Sequence, residues 1–323
     1  MHADTLSDVL QAVRLKGAVF FDVDARAPWV AETPAAKVIA PAVMPRAEHV
    51  IEYHVVTGGG CWAAVPEHPG IAPVWLQAGD VVAFPQGDAH VLSSTQGMRG
   101  EVQLNAFEAP AGTQLPLVMN LAGQGEGTRL VCGFLGCDAR PFNPLLQSLP
   151  RLLHVRPGPG GGPTDAFMQF ALLETREQRV GAAGILSRLG ELMFAELVRR
   201  HIETLPEDGR GWLAGLRDRH VGRALTLLHA EPVKDWTLEN LARESGLSRS
   251  AFAARFSSYI GMAPMQYLTR WRLQLAASQL SDSEAGIALI AERAGYESEA
   301  AFSRAFRKAV GMPPAAWRAR RRA

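Results

Sequence analysis

Cysteine is scarce in this chain of 323 residues, which holds only Cys61, Cys132 and Cys137. Three is an odd number and too few for a disulfide scaffold, so reduced thiols are expected. Cys132-Gly-Phe-Leu-Gly-Cys137 is not a Cys-x-x-Cys redox or zinc pair. A long hydrophobic run is also missing: no 18-residue apolar stretch occurs, which excludes a membrane-spanning helix as the reading. Met1 to Leu10 lack the cationic-then-apolar pattern of a secretory leader. These absences lead to the expectation of a soluble, cytoplasmic protein with no membrane partner.

An excess of charge of one sign is missing only at the level of the whole chain, where 33 Lys and Arg balance 32 Asp and Glu to a net of +1. From residue 216 onward there are 17 basic against 10 acidic residues, a net of +7, while residues 1 to 215 carry 16 against 22, a net of −6. A basic C-terminal part suits a phosphate-bearing partner. Its end, Arg318, Arg320, Arg321 and Arg322, reads equally as a solvated helix terminus or as a non-specific phosphate contact.

The C-terminal part contains an internal repeat. Leu238, Leu241, Ala242 and Gly246 recur as Ile287, Ile290, Ala291 and Gly295 with a shift of 49, and Phe252, Phe256, Gly261 and Pro264 recur as Phe302, Phe306, Gly311 and Pro314 with a shift of 50. One residue is thus inserted in the second turn. Each copy has the layout of a helix-turn-helix. Ala242 and Ala291 allow two helices to approach closely, and Gly246 and Gly295 stand where the chain must leave a helix through a left-handed conformation. Ser248 and Ser298 are placed to cap the second helices. Paired phenylalanines four apart stack on one helical face, toward a core. Leu268, Trp271 and Leu275 mark a connecting helix between the copies. A helical solenoid is the alternative, but two repeats are fewer than such arrays need.

With the phenylalanines inward, the opposite face of the first copy carries Ser250, Ala251, Ala254, Ser257 and Ser258. That of the second carries Ala300, Ala301, Arg304, Arg307 and Lys308. The first offers short side chains for close approach; the second offers Arg304, which can pair with guanine through two hydrogen bonds. Arg249 and Arg255 flank the first face as phosphate contacts.

Residues 1 to 150 read as strands: short apolar runs such as Val50 to Val56, Val74 to Leu76 and Val81 to Phe84, separated by turn signals, suggest an antiparallel barrel or jelly roll. Arg156 to Pro163 is a Pro/Gly break. Helices are expected over Asp165 to Gln178 and Ala182 to Glu203. The stripe Ile185, Leu189, Leu192, Met193, Glu196 and Leu197 can pack on the barrel or on a second subunit.

The tandem motifs, with their linking helix and the Gly-x-x-Pro exits at Gly261 and Gly311, resemble the DNA-binding region of the AraC/XylS family of bacterial transcription regulators over about residues 217 to 321. Gly286 departs from the family, which more often has a serine or similar cap there. Gly79 to His90 resembles the second cupin motif, and Tyr53 to Gly58 the end of the first, as in the sensory domain of some AraC-like regulators. The resemblance implies an α+β multidomain chain: an N-terminal cupin-like β-barrel or jelly roll as effector domain (1–155), a helical dimerisation segment (164–206) and an all-α double helix-turn-helix (215–323). Family positions that touch bases fall on Ser250, Ala253 and Ala254, and on Glu299, Ala300 and Arg304. The candidate DNA contacts are therefore Arg249, Ser250, Ala253, Ala254, Arg255, Ser298, Glu299, Ala300, Arg304, Arg307 and Lys308. The expected partners are double-stranded DNA, read in two successive major grooves, a second copy in a homodimer, which the family tips the helical stripe toward, and RNA polymerase.

No catalytic residue and no cofactor is expected. An enzymatic cupin holds a metal through a His-x-His pair, a glutamate and a later histidine. His90 matches the last, and His49, Glu52 and His54 lie nearby, but the His-x-His pair is missing, so a metal-free barrel is expected. A cupin-type metal enzyme with a helical appendage is the alternative. The effector is a small molecule or a redox signal, with Cys61, Cys132, Cys137, His54 and His90 as candidate residues. A switch thiol would be partly exposed with a lowered pKa, whereas a passive one would be buried among apolar groups.

Overall fold

The computed structural model describes residues 4–108, 115–156, 163–177 and 179–322. The Pro/Gly run at 157–162 and Gln178, the expected end of the first middle helix, lie outside the described residues. Up to residue 155 the order is α1 (Thr5–Ala12), β1 (Lys16–Arg26), β2 (Val30–Thr33), α2 (Ala36–Val43), β3 (His49–Gly58), β4 (Gly60–Ala64), β5 (Val74–Gln77), β6 (Val81–Phe84), β7 (His90–Ser93), β8 (Leu117–Leu121), β9 (Gly127–Cys137), α3 (Pro144–Ser148) and β10 (Leu153–Val155), with a 3-10 turn at Leu104–Phe107. Helices α4 (Pro163–Glu177), α5 (Ala182–Thr204), α6 (Trp212–Arg217), α7 (Arg219–Ala230), α8 (Leu238–Glu244), α9 (Arg249–Ile260), α10 (Pro264–Asp282), α11 (Ile287–Arg293), α12 (Glu299–Val310) and α13 (Pro314–Arg322) follow. They form two compact units: residues 15–137 with 149–203, and residues up to 14 with 138–148 and 204–323.

The first unit is a pair of sheets, ordered β10-β6-β3-β9-β1-β8 and β2-β7-β4-β5, rather than one closed barrel. Its ladders are antiparallel except β1 with β8, which runs parallel because a long connection separates the two strands. The apolar run Val81–Phe84 is buried along its whole length, as a strand covered on both faces must be. Phe21, Trp29, Phe84, Leu92, Leu130 and Phe134 belong to one core that draws on both sheets. Helix α5 lies on the larger sheet. Gly17 N–H donates to Glu191 Oε1 at 3.2 Å, and Ser187 Oγ donates to Gly17 O at 2.5 Å. The helical stripe is largely spent on this packing: Leu189, Met193 and Leu197 are buried within the chain, while Leu192 stays 51% exposed. The alternative that the stripe packs on its own sheet thus holds for Leu189, Met193 and Leu197.

The second unit is helical and includes segments distant in sequence. Helix α10 runs through its centre, with Tyr267, Leu268, Trp271, Gln274, Ala277 and Leu280 buried. The Gln274 amide and the Tyr267 hydroxyl are paired, whereas Trp271 Nε1 is buried with no hydrogen-bond partner among the described residues. Phe142 N–H donates to Gln274 Oε1 at 3.0 Å, and Gln274 Nε2 donates to Ala12 O at 2.9 Å. A single amide thus ties the end of α1 and the 138–148 segment to the linking helix. Trp212 Nε1–H donates to the Tyr267 hydroxyl at 2.8 Å, and the same hydroxyl is hydrogen-bonded with His229 Nε2, also at 2.8 Å. The His229 ring stacks on Trp271 with centroids 4.1 Å apart.

Burial holds the His229 imidazole neutral down to about pH 3. An unfolded histidine takes its proton near 6.5. As pH falls below 6.5 the unfolded chain therefore binds a proton that the folded chain refuses, and stability is lost until about pH 3. We expect urea melts monitored in α10 to show a slope of up to about 1.4 kcal/mol per pH unit from this residue between pH 6 and 4. His229→Gln is expected to be less stable at pH 7 and to have a flatter pH profile by that amount. An unchanged profile in the variant would show that His229 is not held neutral.

Candidate functional site

Each helix-turn-helix is built as its repeat demands. Ser248 Oγ accepts from Ala251 N–H at 3.4 Å and Ser298 Oγ from Ala301 N–H at 3.2 Å, so the inserted residue shifts the second cap without removing it. Gly246 and Gly295 adopt φ of 77° and 75°, the left-handed turn that side chains resist. Phe252 and Phe256 are buried with ring centroids 5.7 Å apart, and Phe302 and Phe306 are buried at 5.5 Å. Gly286 precedes α11 as an N-cap with no side-chain bond.

Burying those rings turns the opposite face of each second helix outward. Ser250, Ala251 and Ala254 of α9 are exposed and Ala253 is half-buried. Ser298, Glu299, Ala300, Arg304, Arg307 and Lys308 of the second motif are exposed. The outward surface of α9 is short and polar or methyl-bearing; that of α12 is cationic.

Two arginines assigned to phosphate have partners within the chain. Arg255 forms a bidentate pair with Asp218, Nε to Oδ1 at 3.0 Å and Nη2 to Oδ2 at 2.5 Å. Asp218 also caps α7, accepting from Val221 N–H at 2.9 Å. Burial pushes the Asp218 carboxyl up, but Arg255 and the cap bonds outweigh it and hold the group at about 2. Arg249 pairs with Glu239 at 3.0 Å, both exposed. In the tail, Arg320 is exposed, whereas Arg318 and Arg321 have partners within the unit. Arg318 Nη2 donates to Ala285 O at 2.5 Å, and Arg321 Nη2 pairs with Asp138 at 2.7 Å while covering Trp317. Both arginines are used inside the unit, because α13 returns against α10. No pattern in the sequence marks the Asp218–Arg255 pair, beyond an aspartate in a capping position.

The sheet unit encloses a cavity of about 100 Å³ whose lining includes Phe21, Trp29, Glu52, His54, Cys132 and Phe134. Glu52 and His54, two apart on β3, face it together. His90 Nδ1 lies 3.1 Å from Asp88 O, a carbonyl, so that nitrogen carries the hydrogen. His54 Nε2 lies 2.7 Å from His90 Nε2, so His54 donates and His90 accepts. Burial lowers both imidazoles, that of His90 to about 4 and that of His54 well below its ordinary value. Burial also raises the Glu52 carboxyl well above its usual range. Burial thus favours the neutral form of each of these groups. Among the described residues, Glu52 Oε1, His54 Nδ1 and Trp29 Nε1 are buried with no hydrogen-bond partner.

The candidate metal ligands do not converge. Two imidazole nitrogens bound to one zinc ion stand about 3.3 Å apart in a tetrahedral site, farther than the hydrogen-bonded 2.7 Å of His54 and His90. Glu52 Oε2 is 3.9 Å from His90 Nε2, and His49 Nε2 instead donates to Pro85 O at 2.7 Å. Among the described residues no group of three or more His, Cys, Asp or Glu is placed to hold an ion. Cys61, Cys132 and Cys137 are buried and form no disulfide. Burial pushes Cys61 up to about 12, and Cys132 is raised well above its ordinary value, again chiefly by burial. These are environments of packing thiols, not of activated thiolates. The sequence missed Trp29 as a lining residue, since an isolated tryptophan carries no motif.

Comparison with known proteins agrees with this construction. A family model described as Cupin matches residues 4–203, and one described as Helix-turn-helix domain matches residues 241–320. An AraC-like transcription regulator of Streptomyces lividans is 33% identical over 323 residues, covering 98% of this chain and 98% of that protein. The RCS-specific activator RclR of Escherichia coli K12 is 30% identical over 276 residues, covering 84% of this chain and 85% of RclR. Among solved structures, the DNA-binding domain of AdpA in complex with a target DNA is 31% identical, covering 32% of this chain and 91% of that one, with a TM-score of 0.30. By its cupin and helix-turn-helix domains and its similarity to a regulator over nearly its whole length, the chain belongs to the AraC-like transcription regulators.

Proposed function

We propose that this regulator binds one face of double-stranded DNA through α9 and α12, placed in successive major grooves, and that a small molecule in the sheet cavity sets its affinity for DNA. The observation that carries this is the pairing of two capped second helices whose phenylalanines are buried and whose opposite faces, Ser250 and Ala254 on one and Arg304 on the other, are exposed. Arg304 reads a guanine by a bidentate contact, while Arg249, Arg307 and Lys308 neutralise phosphates. Ser298, Glu299, Ala300 and Ala253 lie along the same approach. Arg255 supports the interface indirectly, by holding α9 to the start of α7 through Asp218.

Strand β9, whose Leu130, Cys132 and Phe134 line the cavity, continues directly into residues 138–148 of the helical unit. An effector that favours one arrangement of this strand needs on the order of 1–3 kcal/mol of coupling to change the DNA affinity. The chain acts as a homodimer through the apolar side chains that α4 and α5 leave exposed, Phe170, Leu173 and Leu192. RNA polymerase is a further partner, the site of action is the cytoplasm, and the cupin domain senses rather than catalyses. No described helix is long and apolar enough to cross a membrane.

Footprinting on a bound operator should protect one face over about two helical turns, with the two protected grooves roughly 34 Å apart. Protection of a single groove would rule out the two-groove arrangement. Arg304→Ala is expected to cost about 1–3 kcal/mol and to relax preference at one base pair. An equal loss on every sequence would reassign Arg304 to phosphate. Lys308→Ala should lower affinity uniformly and reduce the slope of log K against log salt by about 0.9, as titrations between 50 and about 200 mM salt can measure. A changed sequence preference in that variant would place Lys308 on a base instead.

A further inference from the structure

The cavity in the sheet unit is apolar over most of its wall and polar at its inner end. We infer that it selects a small, uncharged molecule bearing a hydroxyl group, with the hydroxyl hydrogen donated to His54 Nδ1 and the carbon body against Phe21, Leu130 and Phe134. The inference rests on the reading of the cupin domain as the effector-binding unit and adds the chemical class of the effector.

Three observations support it. The hydrogen-bond chain Asp88 O, His90 Nδ1–H, His90 Nε2, His54 Nε2–H fixes the direction of every proton, so His54 Nδ1 is an acceptor. It is buried and has no partner among the described residues, and a buried acceptor left unmade is costly. A ligand that carries a donor hydrogen removes that cost; an ether, ester, ketone or alkane does not. Next, among the described residues the lining contains no lysine or arginine, so a carboxylate would be buried without a counter-charge. Finally, Glu52 is 1% exposed and faces no cation, and Glu32 at the rim is already paired with Arg99. An ammonium ligand would require a desolvated ion pair with Glu52, whereas an uncharged ligand would not. Trp29 Nε1–H then stands as a donor for the hydroxyl oxygen. Size limits the body. An engineered apolar cavity of about 150 Å³ takes benzene with its six carbons, so this one of about 100 Å³ suits roughly four or five non-hydrogen atoms.

The test uses the full chain and four probes of five non-hydrogen atoms each: 1-butanol, its isomer methyl propyl ether, propionate and butylammonium, with dissociation constants from ligand-observed NMR. 1-Butanol is expected to bind about tenfold or more tighter than the ether, with both ions weaker still. In His54→Phe the alcohol-to-ether ratio should fall to near 1. If that variant does not fold, the wild-type ratio decides alone. Equal binding of alcohol and ether, or tighter binding of either ion, overturns the inference while leaving the cupin domain as a ligand-binding unit. Binding of none of the four overturns the inference and the effector reading of the cavity together; an operator-binding assay on the same sample then shows whether DNA recognition stands without it.

Discussion

The helical unit depends on how α10 meets the demands of its buried polar groups. A helix buried on most sides cannot leave an amide or a phenol unpaired without a cost of about 1–3 kcal/mol each. Gln274 meets that demand with the backbone of Phe142 and Ala12, and Tyr267 meets it with Trp212 and His229. These bonds fix the rotation of α10 about its own axis. The same helix contributes Leu273, Ala277 and Leu280 to the core around Phe302 and Phe306. Toward the first motif, Tyr267 stacks edge-on against Phe256 at 5.9 Å. The register of both motifs is therefore set from one helix.

The sheet unit treats its buried polar groups differently. His90 is held between Asp88 O and His54 and stacks on Phe84, with centroids 3.7 Å apart. That network ends at His54 Nδ1 and beside Glu52, where no group among the described residues completes it. Interiors seldom leave such atoms unpaired, and where they do a ligand or water is the usual completion. The helical core pairs Gln274 and Tyr267 but leaves His229 Nδ1 and Trp271 Nε1 without a hydrogen-bond partner among the described residues, so what distinguishes the sheet core is its apolar-walled cavity. It also accounts for the thiols. In this apolar surrounding Cys61 and Cys132 behave as small hydrophobic side chains, and Cys137, five residues beyond Cys132 on β9, falls on the opposite face of the strand.

Much of the helical unit was legible because local chemistry and tertiary demand coincide there. Ser248, Gly246 and the pair Phe252 and Phe256 each have a local reason for their position, namely cap, left-handed turn and inward face, and the second copy repeats them. The strands β3, β5 and β6 were legible for the same reason. The pairing of distant elements was not. Nothing local in Thr5–Ala12 or Asp138–Ser148 shows that they pack with the C-terminal helices, because the bonds that hold them come from Gln274, more than 130 residues away from either. Likewise Arg255 looks like a free surface cation until Asp218 is placed beside it.

The amino-acid order by itself determined the duplicated helix-turn-helix, the basic C-terminal part and the faces of α9 and α12 that point outward, since caps, turns and helical periodicity act within a dozen residues. Tertiary structure alone decided the direction of protons along Asp88, His90 and His54, the isolation of Glu52 and the cavity they share with Trp29. Those properties arise only when strands separated by tens of residues are brought within hydrogen-bonding distance and water is removed from between them.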